Sequence, residues 1–382
     1  MAAQLRPPRV DEGEIPFADP AADHAELLPE LEAAAARVLR SGRFILGDEV
    51  AAFESELAAF SGVAHAVGVS SGTDALLALL MAAGVGPGDE VITSPFSFFA
   101  TAEVIARVGA RPVFADIECD TLNLDPEDAV ARINSRTKAV IVVHLFGRAA
   151  RTGPLEDACS EAGVTLFSDA AQAIGAVDVR GRPVGELGRA AALSFFPTKN
   201  LGGFGDGGAV LTRDDGLAAR IRQLRIHGAA AKNHHVAVGG SFRLDELQAA
   251  LLRVKLPHLS AWTTARRRIA ADYRQALAET PLSLPPADPG AVWNQYVVRV
   301  PDDRRASLVA HLRADGIATE SYYPTPLPSQ PCFQTFGHRP GDFPIAAQAC
   351  REVLSLPIRP SLAVGERDRV VASVRRFYAR SS

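Results

Sequence analysis

The chain is organised around the stretch Ala192-Leu-Ser-Phe-Phe-Pro-Thr-Lys-Asn-Leu-Gly-Gly-Phe-Gly-Asp-Gly-Gly208. An apolar run typical of a strand ends at Ser194, and a single lysine, Lys199, follows it. Five of the next nine residues are glycines, which let the backbone approach a bound group closely. A lysine in such a crowded loop is poorly solvated, and its neutral amine is then available as a nucleophile. A surface lysine beside a glycine-rich turn is the alternative.

Length and composition indicate an ordinary globular protein of two domains. At 382 residues the chain is long for one core, and a proline-rich segment at 281–289 separates the last part. We therefore predict a large domain at 1–254, which includes an N-terminal arm, and a smaller α+β domain at 255–382. The formal net charge of -4 leaves no general basic field for nucleic acid.

No segment of the sequence predicts a membrane span, a secretory signal or a metal site. Residues 1–16 lack a hydrophobic core, and the most apolar segment, residues 75–85, is too short to cross a bilayer. The scattered cysteines, which form neither a CxxC pair nor a cluster with histidine, are predicted to be free and mostly buried: Cys119, Cys159, Cys332 and Cys350. We therefore predict a cytoplasmic protein with no membrane partner.

Strands and helices alternate over the first half of the chain. We predict strands at 66–69, 90–93, 111–115, 139–144, 164–167 and 209–212, with helices at 75–83, 98–108, 126–133 and 155–162 between them. This alternation predicts an α/β fold with a mainly parallel sheet covered by helices on both faces. In the last part we predict strands at 295–300 and 318–323 and helices at 304–314, 344–353 and 365–378, while 228–240 is predicted to be a polar loop.

Two further loops lie at strand ends, where open parallel sheets bind ligands. In Ser70-Ser-Gly-Thr-Asp74 a helix begins, and its free amides and dipole suit an anion, to which Thr73 adds a hydroxyl. A plain helix N-cap is the alternative, and the sequence favours it. Asp169 ends another strand, where a carboxylate suits a protonated pyridine nitrogen; an N-cap aspartate is again the alternative.

Together, the anion-binding loop at Ser70–Asp74, the carboxylate of Asp169 and the amine of Lys199 are the groups that would bind a phosphorylated pyridine aldehyde. Here the sequence resembles the DegT/DnrJ/EryC1/StrS family of sugar aminotransferases, which are fold type I pyridoxal-phosphate enzymes. The resemblance extends from about Gly42 almost to the C-terminus. The matching blocks include Ser70–Leu76, Ser97–Thr101, Asp169–Gln172, Ser194–Leu201, Gly205–Gly208, Arg243–Ala250, Tyr323-Pro324 and Leu354–Pro357.

The resemblance implies a role for each matching residue. Gly72, Thr73 and Ser194 would hold the cofactor phosphate, and Phe98 would stack on the pyridine ring. Asp169 would pair with the ring nitrogen, and Gln172 would contact the side of the ring hydroxyl. Lys199 would form the internal aldimine and act as catalytic base and acid. Tyr323 and Arg243 are implied to bind substrate.

The sequence also departs from the family pattern. Members are homodimers with shared active sites, and Ser241 stands where the family usually has an asparagine that reaches the partner's cofactor. Tyr322 stands where histidine often precedes Tyr-Pro, and Arg148 where glutamine is frequent. These changes concern sugar specificity and the contact of Ser241 with the phosphate.

The resemblance implies transfer of an amino group from L-glutamate or L-glutamine to a keto group of a nucleotide-linked sugar. One alternative is a nucleotide-sugar dehydratase, but relatives with that activity carry histidine in place of the lysine. Another is a non-catalytic regulatory homologue. A nicotinamide oxidoreductase is disfavoured because no GxGxxG motif follows the first strand.

Overall fold

The computed structural model describes residues 13–339 and 341–379, so the prediction for the segment before residue 13 lies outside the described residues. The strands are β1 His65–Val69, β2 Glu90–Thr93, β3 Arg111–Phe114, β4 Thr137–Val143, β5 Thr165–Asp169, β6 Ala190–Ser194, β7 Gly208–Thr212, β8 Ala229–Ala231, β9 His234–His235, β10 Tyr296–Arg299 and β11 Val353–Leu356. The helices are α1 Pro20–Asp23, α2 Leu28–Ser41, α3 Asp48–Ser61, α4 Gly72–Ala82, α5 Ala100–Arg107, α6 Pro126–Ala131, α7 Gly153–Ala162, α8 Asp215–Leu224, α9 Glu246–Lys255, α10 Leu259–Ala276, α11 Arg305–Ala314, α12 Pro344–Glu352 and α13 Val364–Ala379.

A seven-stranded sheet with the order β1-β7-β6-β5-β4-β2-β3 forms the centre of the large part of the chain. Neighbouring strands from β6 to β3 are parallel, whereas β7 is antiparallel to both β1 and β6. The glycine-rich loop explains the exception, because it returns the chain directly from β6 into β7 without a crossover helix. Since β1 is parallel to β6, the strands β1, β5 and β6 all end at the same edge.

Both faces of this sheet are buried under helices. Along β6, Ala191 and Leu193 belong to a core cluster with α3 and α9, while Ala190 and Ala192 belong to a cluster with α4 and α8. This division follows from the strand period of two, which sends successive side chains to opposite faces. The predicted fold class, a mainly parallel sheet sandwiched by helices, is confirmed.

The last part of the chain has its own hydrophobic cluster. β10 pairs with β11 in an antiparallel ladder, and side chains from α10, α11 and α13 pack in the same cluster. The N-terminal segment joins it through Ile15, which is fully buried and forms a single bridge with Ile317. The predicted domain boundary at 254/255 stays a prediction.

Four local predictions are wrong. Residues 318–323 form no strand but a single bridge between Glu320 and Ser355, and the prolines that follow lack amide donors to extend a ladder. The predicted helix 344–353 ends one residue earlier, at Glu352, and the strand β11 that follows it was not predicted; the polar loop 228–240 contains the β8–β9 hairpin. Cys119 and Cys332 are exposed because they lie in surface segments outside the cores.

Candidate active site

Lys199 lies in a turn immediately after β6. Its amide donates to the Phe196 carbonyl at 2.8 Å, which closes a four-residue turn, 196–199, that contains Pro197. Burial desolvates the side chain and lowers the pKa of Lys199 to about 8, although the nearby Asp169 carboxylate acts in the opposite direction. The residue nevertheless keeps part of its surface accessible. The alternative of an ordinary surface lysine therefore does not describe this amine.

The residue after the lysine holds this turn against a distant part of the chain. Asn200 Nδ2 donates to the Val292 carbonyl at 3.0 Å, and Asn294 Nδ2 donates to Asn200 Oδ1 at 2.9 Å. All three residues are buried. We infer that this amide pair limits the positions that Lys199 can take; its two asparagines are far apart in the sequence and were not predicted to meet.

Asp169 ends β5 and is 6% exposed. Thr101 Oγ1 donates to Asp169 Oδ2 at 2.7 Å, and the Ala171 amide donates to Oδ1 at 3.1 Å. Burial raises the pKa of Asp169, while these two hydrogen bonds and the charge of Lys199 lower it. A buried carboxylate with a raised pKa is stabilised by a cationic partner, which a protonated pyridine nitrogen would be.

Two residues that support Asp169 had no role in the sequence predictions. Thr101 lay in a matching block but was not assigned to the carboxylate. His144 donates its amide to the Asp169 carbonyl at 2.9 Å, and its ring nitrogen Nδ1 accepts from the Ala150 amide at 3.0 Å. Its Nε2 lies 2.9 Å from Ser168 Oγ, and burial lowers the pKa of His144 to about 3. The imidazole is therefore a neutral support beside β5.

The predicted phosphate cradle forms where α4 meets the end of β6. Ser71 is the N-cap of α4, since its hydroxyl accepts from the Asp74 amide at 3.0 Å. Ser71 is therefore an N-cap, as the alternative predicted. The amides of Gly72 and Thr73 in the first turn still have no acceptor within their own helix, so they remain available to an anion. Gly72 lies against Ser194, because a Cβ on Gly72 would come within 2.7 Å of the Ser194 Cβ. The structure therefore brings all three predicted phosphate residues together.

Two glycines of the loop between β6 and β7, Gly202 and Gly208, stand where any side chain would clash with the backbone. A Cβ on Gly208 would lie 2.4 Å from the carbonyl carbon of Ser71, and one on Gly202 would lie 2.1 Å from the Pro197 carbonyl oxygen. These positions need glycine so that the loop can pack against its own chain.

Gln172, Tyr323 and Phe98 form a second wall near Asp169. Gln172 Oε1 accepts from the Phe146 amide at 2.6 Å, and its Nε2 donates to the Tyr323 hydroxyl at 3.2 Å. Burial raises the pKa of Tyr323, so its hydroxyl stays protonated. The Phe98 ring lies 6.5 Å from that of Tyr323 and is 57% exposed, which leaves a free aromatic face for a planar group.

Ser241 and Arg243 lie in the loop before α9. Arg243 Nη2 donates to Ser241 Oγ at 2.6 Å, and the carbonyl of the intervening Phe242 accepts from the Ser70 amide at 3.2 Å. The loop thus passes beside the strand end that leads into the cradle. In the described single chain, Ser241 is exposed and bonds to its neighbour Arg243. Its predicted contact with a partner's cofactor stays a prediction.

Comparison with known proteins identifies the family. The model of the DegT/DnrJ/EryC1/StrS aminotransferase family matches residues 26–375. The chain belongs to this family. Aminotransferases of the family depend on pyridoxal phosphate, and the predicted cofactor is therefore confirmed. The residues described above fit that cofactor. The loop at Gly72 has no side chain that would block a phosphate, Asp169 supplies a buried carboxylate, and Lys199 supplies a desolvated amine.

Relatives within the DegT/DnrJ/EryC1/StrS family cover almost the whole chain. A protein of Geobacillus stearothermophilus named pleiotropic regulatory protein is 46% identical over 95% of this chain and 98% of its own length. The dTDP-3-amino-3,4,6-trideoxy-alpha-D-glucose transaminase of Streptomyces venezuelae is 42% identical over 100% of this chain and 99% of its own length. The crystal structure of S. venezuelae DesV in complex with a ketimine intermediate is 43% identical, has a TM-score of 0.92 and covers 96% of this chain and 98% of that one.

In residues 13–339 and 341–379, no group of three or more His, Cys, Asp or Glu side chains is arranged to hold a metal ion. Within the same ranges, every helix is too short or too polar to cross a membrane.

Proposed function

We propose that this aminotransferase moves an amino group from L-glutamate or L-glutamine to the keto group of a nucleotide-linked sugar. The observation that carries the proposal is that the desolvated amine of Lys199 and the buried carboxylate of Asp169, which follow or end neighbouring strands at one sheet edge, are close enough for the charge of each to shift the pKa of the other. The family membership supports amino transfer, and the relative from S. venezuelae is named as a transaminase of a dTDP-linked sugar.

In this proposal, each predicted residue holds one part of the cofactor. The amides of Gly72 and Thr73 and the hydroxyl of Ser194 would bind the phosphate, and Phe98 would cover one ring face. Asp169 would keep the ring nitrogen protonated, and Gln172 would lie on the side of the ring hydroxyl. When bound, pyridoxal phosphate supplies an aldehyde that accepts an amine and a ring that withdraws electrons.

Lys199 would hold the cofactor through its amine, and the same amine would carry the proton when a donor has replaced it. With a pKa of about 8, its amine exists in both protonation states near neutral pH, as efficient transfer in both directions requires. Thr101 and the Ala171 amide keep the Asp169 carboxylate oriented. The neutral amide of Gln172 is held in one orientation by its hydrogen bonds to the Phe146 amide and the Tyr323 hydroxyl.

A homodimer with shared active sites and a cytoplasmic location are part of the proposal. Phe196 and Phe204 precede and follow Lys199 along the chain, and they are 50% and 43% exposed. Large apolar side chains so close to an active site suit a covering subunit surface. Light scattering should give the mass of a dimer, and a monomer at the working concentration would contradict shared sites.

The spectrum of purified protein tests the reaction. We expect a visible absorption band of bound pyridoxal phosphate, its conversion to the pyridoxamine form on addition of L-glutamate, and formation of 2-oxoglutarate. A panel of nucleotide-linked keto sugars should then restore the original band. Wild-type protein that binds no pyridoxal phosphate, or exchanges no amino group with any donor, would overturn the proposal.

A regulatory function is the second candidate. It is favoured by the name of the relative from G. stearothermophilus and by that of a relative 44% identical over 365 residues, the erythromycin biosynthesis sensory transduction protein EryC1 of Saccharopolyspora erythraea. Retention of Lys199, Asp169 and Gln172 supports catalysis instead. The same spectrum distinguishes the two, because a purely regulatory homologue would bind cofactor without exchanging its amino group.

A further inference from the structure

A cavity that the proposed reaction does not use lies where the end of β4 meets the segment before β10. It measures about 360 Å³, which falls within the roughly 300–1,000 Å³ typical of small-molecule sites. Its wall includes the apolar side chains of Leu122, Phe146 and Trp293 and two arginines, Arg148 and Arg274. The cavity therefore offers both an apolar surface and positive charge to an occupant.

Three apolar residues of the wall have an unusual backbone conformation. Leu122, Phe146 and Trp293 have φ angles of 61°, 59° and 51°, in the left-handed region that bulky side chains rarely adopt. Each such residue costs about 1–3 kcal/mol, and residues held in this way are concentrated at active sites and ligand-binding sites. Their position on one wall points to a binding role for this cavity.

Two arginines of the wall share a single nearby carboxylate. Arg148 is buried, donates from Nη2 to the Pro286 carbonyl at 2.7 Å, and has its Nε 3.7 Å from Asp288 Oδ2. Arg274 donates to the Pro285 carbonyl at 2.6 Å and has no ion-pair partner within 4 Å among the described residues. Burial lowers the pKa of Arg148, and the charge of Arg274 acts in the same direction, whereas Asp288 opposes both. One positive charge is therefore left in excess.

The other charged groups of the wall do not remove this excess. Arg299 is already paired with Glu352, whose Oε2 accepts from Nε at 2.7 Å. Asp120 is exposed to water and accepts from the thiol of Cys119. A carboxylate carries the single negative charge that is needed and can accept two hydrogen bonds from a guanidinium group. A phosphate group would bring a second charge without a partner.

Backbone groups join the cavity to the active site. The Phe146 amide donates to Gln172 Oε1 at 2.6 Å, and the Phe146 carbonyl accepts from the Asn294 amide at 3.0 Å. Asn294 in turn donates to Asn200, the residue after Lys199. A molecule that packs against the Phe146 side chain therefore contacts the residue whose backbone holds Gln172 and Asn294.

We propose that this cavity is an effector site, in which Arg148 and Arg274 bind the carboxylate of a small organic acid and Trp293 contacts its apolar body. The occupant stabilises the strained backbone at Phe146 and thereby strengthens the retention of the cofactor. Both effects concern binding alone, so the inference does not rest on the proposed amino transfer.

Tryptophan fluorescence measures the binding directly. The chain contains two tryptophans, and Trp262→Phe leaves Trp293 on the cavity wall as the reporter. In this variant loaded with pyridoxal phosphate, cyclohexanecarboxylate should change the emission saturably. The neutral cyclohexanecarboxamide should bind at least about tenfold more weakly, since it lacks the charge. Equal affinities for the acid and the amide, or no response to either, would overturn the proposal.

Two further replacements in this reporter protein separate charge from structure. Arg148→Gln should weaken the binding of cyclohexanecarboxylate about tenfold or more, and glutamine is frequent at this position in the family, so the variant should fold. Asp288→Asn removes the opposing carboxylate and should strengthen the binding about threefold or more. Weaker binding in both variants would make Arg148 merely structural and overturn the proposal.

Retention of the cofactor measures the coupling between the two sites. Equilibrium dialysis of the loaded wild-type protein should give a dissociation constant for pyridoxal phosphate that falls about fivefold at saturating cyclohexanecarboxylate, a coupling typical of two linked sites. Arg148→Gln should show no such change. An unchanged constant in the wild-type protein would overturn the assignment as an effector site.

Discussion

Two lysines of this chain have amines with the same acidity but different surroundings. Burial lowers the pKa of both Lys199 and Lys255 to about 8. Lys255 is 6% exposed, donates to the Gly202 carbonyl, and lies over the rings of Phe204 and Trp262 at 5.3 and 5.8 Å. Within the described part of the chain, no group is hydrogen-bonded to the Lys199 amine, which lies on a cavity wall.

The difference shows that desolvation alone does not make a catalytic lysine. In Lys255 the neighbouring carbonyl and aromatic rings stabilise the ammonium and enclose it, so the side chain holds the glycine-rich loop. Lys199 instead lines a cavity, and its amine is influenced by the charge of the Asp169 carboxylate, which would hold the cofactor ring. The two residues are therefore matched controls for each other.

Replacement of Lys199 should have the largest effect. Lys199→Ala removes both the attachment point and the proton carrier, so we expect turnover to fall at least about 10³-fold. Lys255→Met should retain turnover within about tenfold. Steady-state rates with L-glutamate measure both, and comparable losses in the two variants would contradict the distinction.

Replacement of Asp169 should come next. Asp169→Asn keeps the shape of the side chain but removes the charge expected to stabilise a protonated ring nitrogen, so turnover should fall about 10²- to 10³-fold. Thr101→Val serves as a milder variant, because it removes one hydrogen bond and keeps the charge. A Thr101→Val loss as large as that of Asp169→Asn would indicate that orientation rather than charge is decisive.

The rate of cofactor uptake by apo-protein should depend on pH through Lys199. Only the neutral amine attacks an aldehyde, and with a pKa of about 8 its fraction rises about tenfold between pH 7 and pH 9. Because the Asp169 carboxylate raises the pKa of Lys199, Asp169→Asn should move the midpoint to lower pH. Stopped-flow absorbance gives the profile. A midpoint near the ordinary value of 10.5, or one unmoved in Asp169→Asn, would contradict the electrostatic account.

Replacement of Lys255 should have the smallest effect on catalysis and a measurable one on stability. Lys255→Met leaves the Gly202 carbonyl without its donor, and we expect a loss of about 1–3 kcal/mol in the free energy of unfolding. Urea denaturation of the apo-protein measures it, with Lys199→Met as the control that removes an amine without a bonded carbonyl. Equal destabilisation by both replacements would show that burial alone determines the effect.

Much of the site was predictable because it lies at strand ends. Asp169, Ser194 and the loop at Ser70 each follow an apolar run, and parallel strands bring such ends to one edge. The cavity beside Phe146 was not predictable in this way. Its arginines Arg148 and Arg274 are 126 residues apart in the chain (274 − 148), and Arg274 lies in a helix without a pattern that points to a ligand.

The sequence by itself determined the alternation of strands and helices in the first half of the chain and the residue types at those strand ends, because periodicity and capping are local properties of a chain. Only the tertiary structure decided which long-range partners meet, such as Gln172 with Tyr323 and Asn200 with Asn294. It also decided the acidity of Lys199, since desolvation depends on everything packed around an amine and not on its neighbours in sequence. The role of Lys255, for which the sequence offers no indication, was likewise decided by the fold, which brings its amine to the Gly202 carbonyl of the glycine-rich loop.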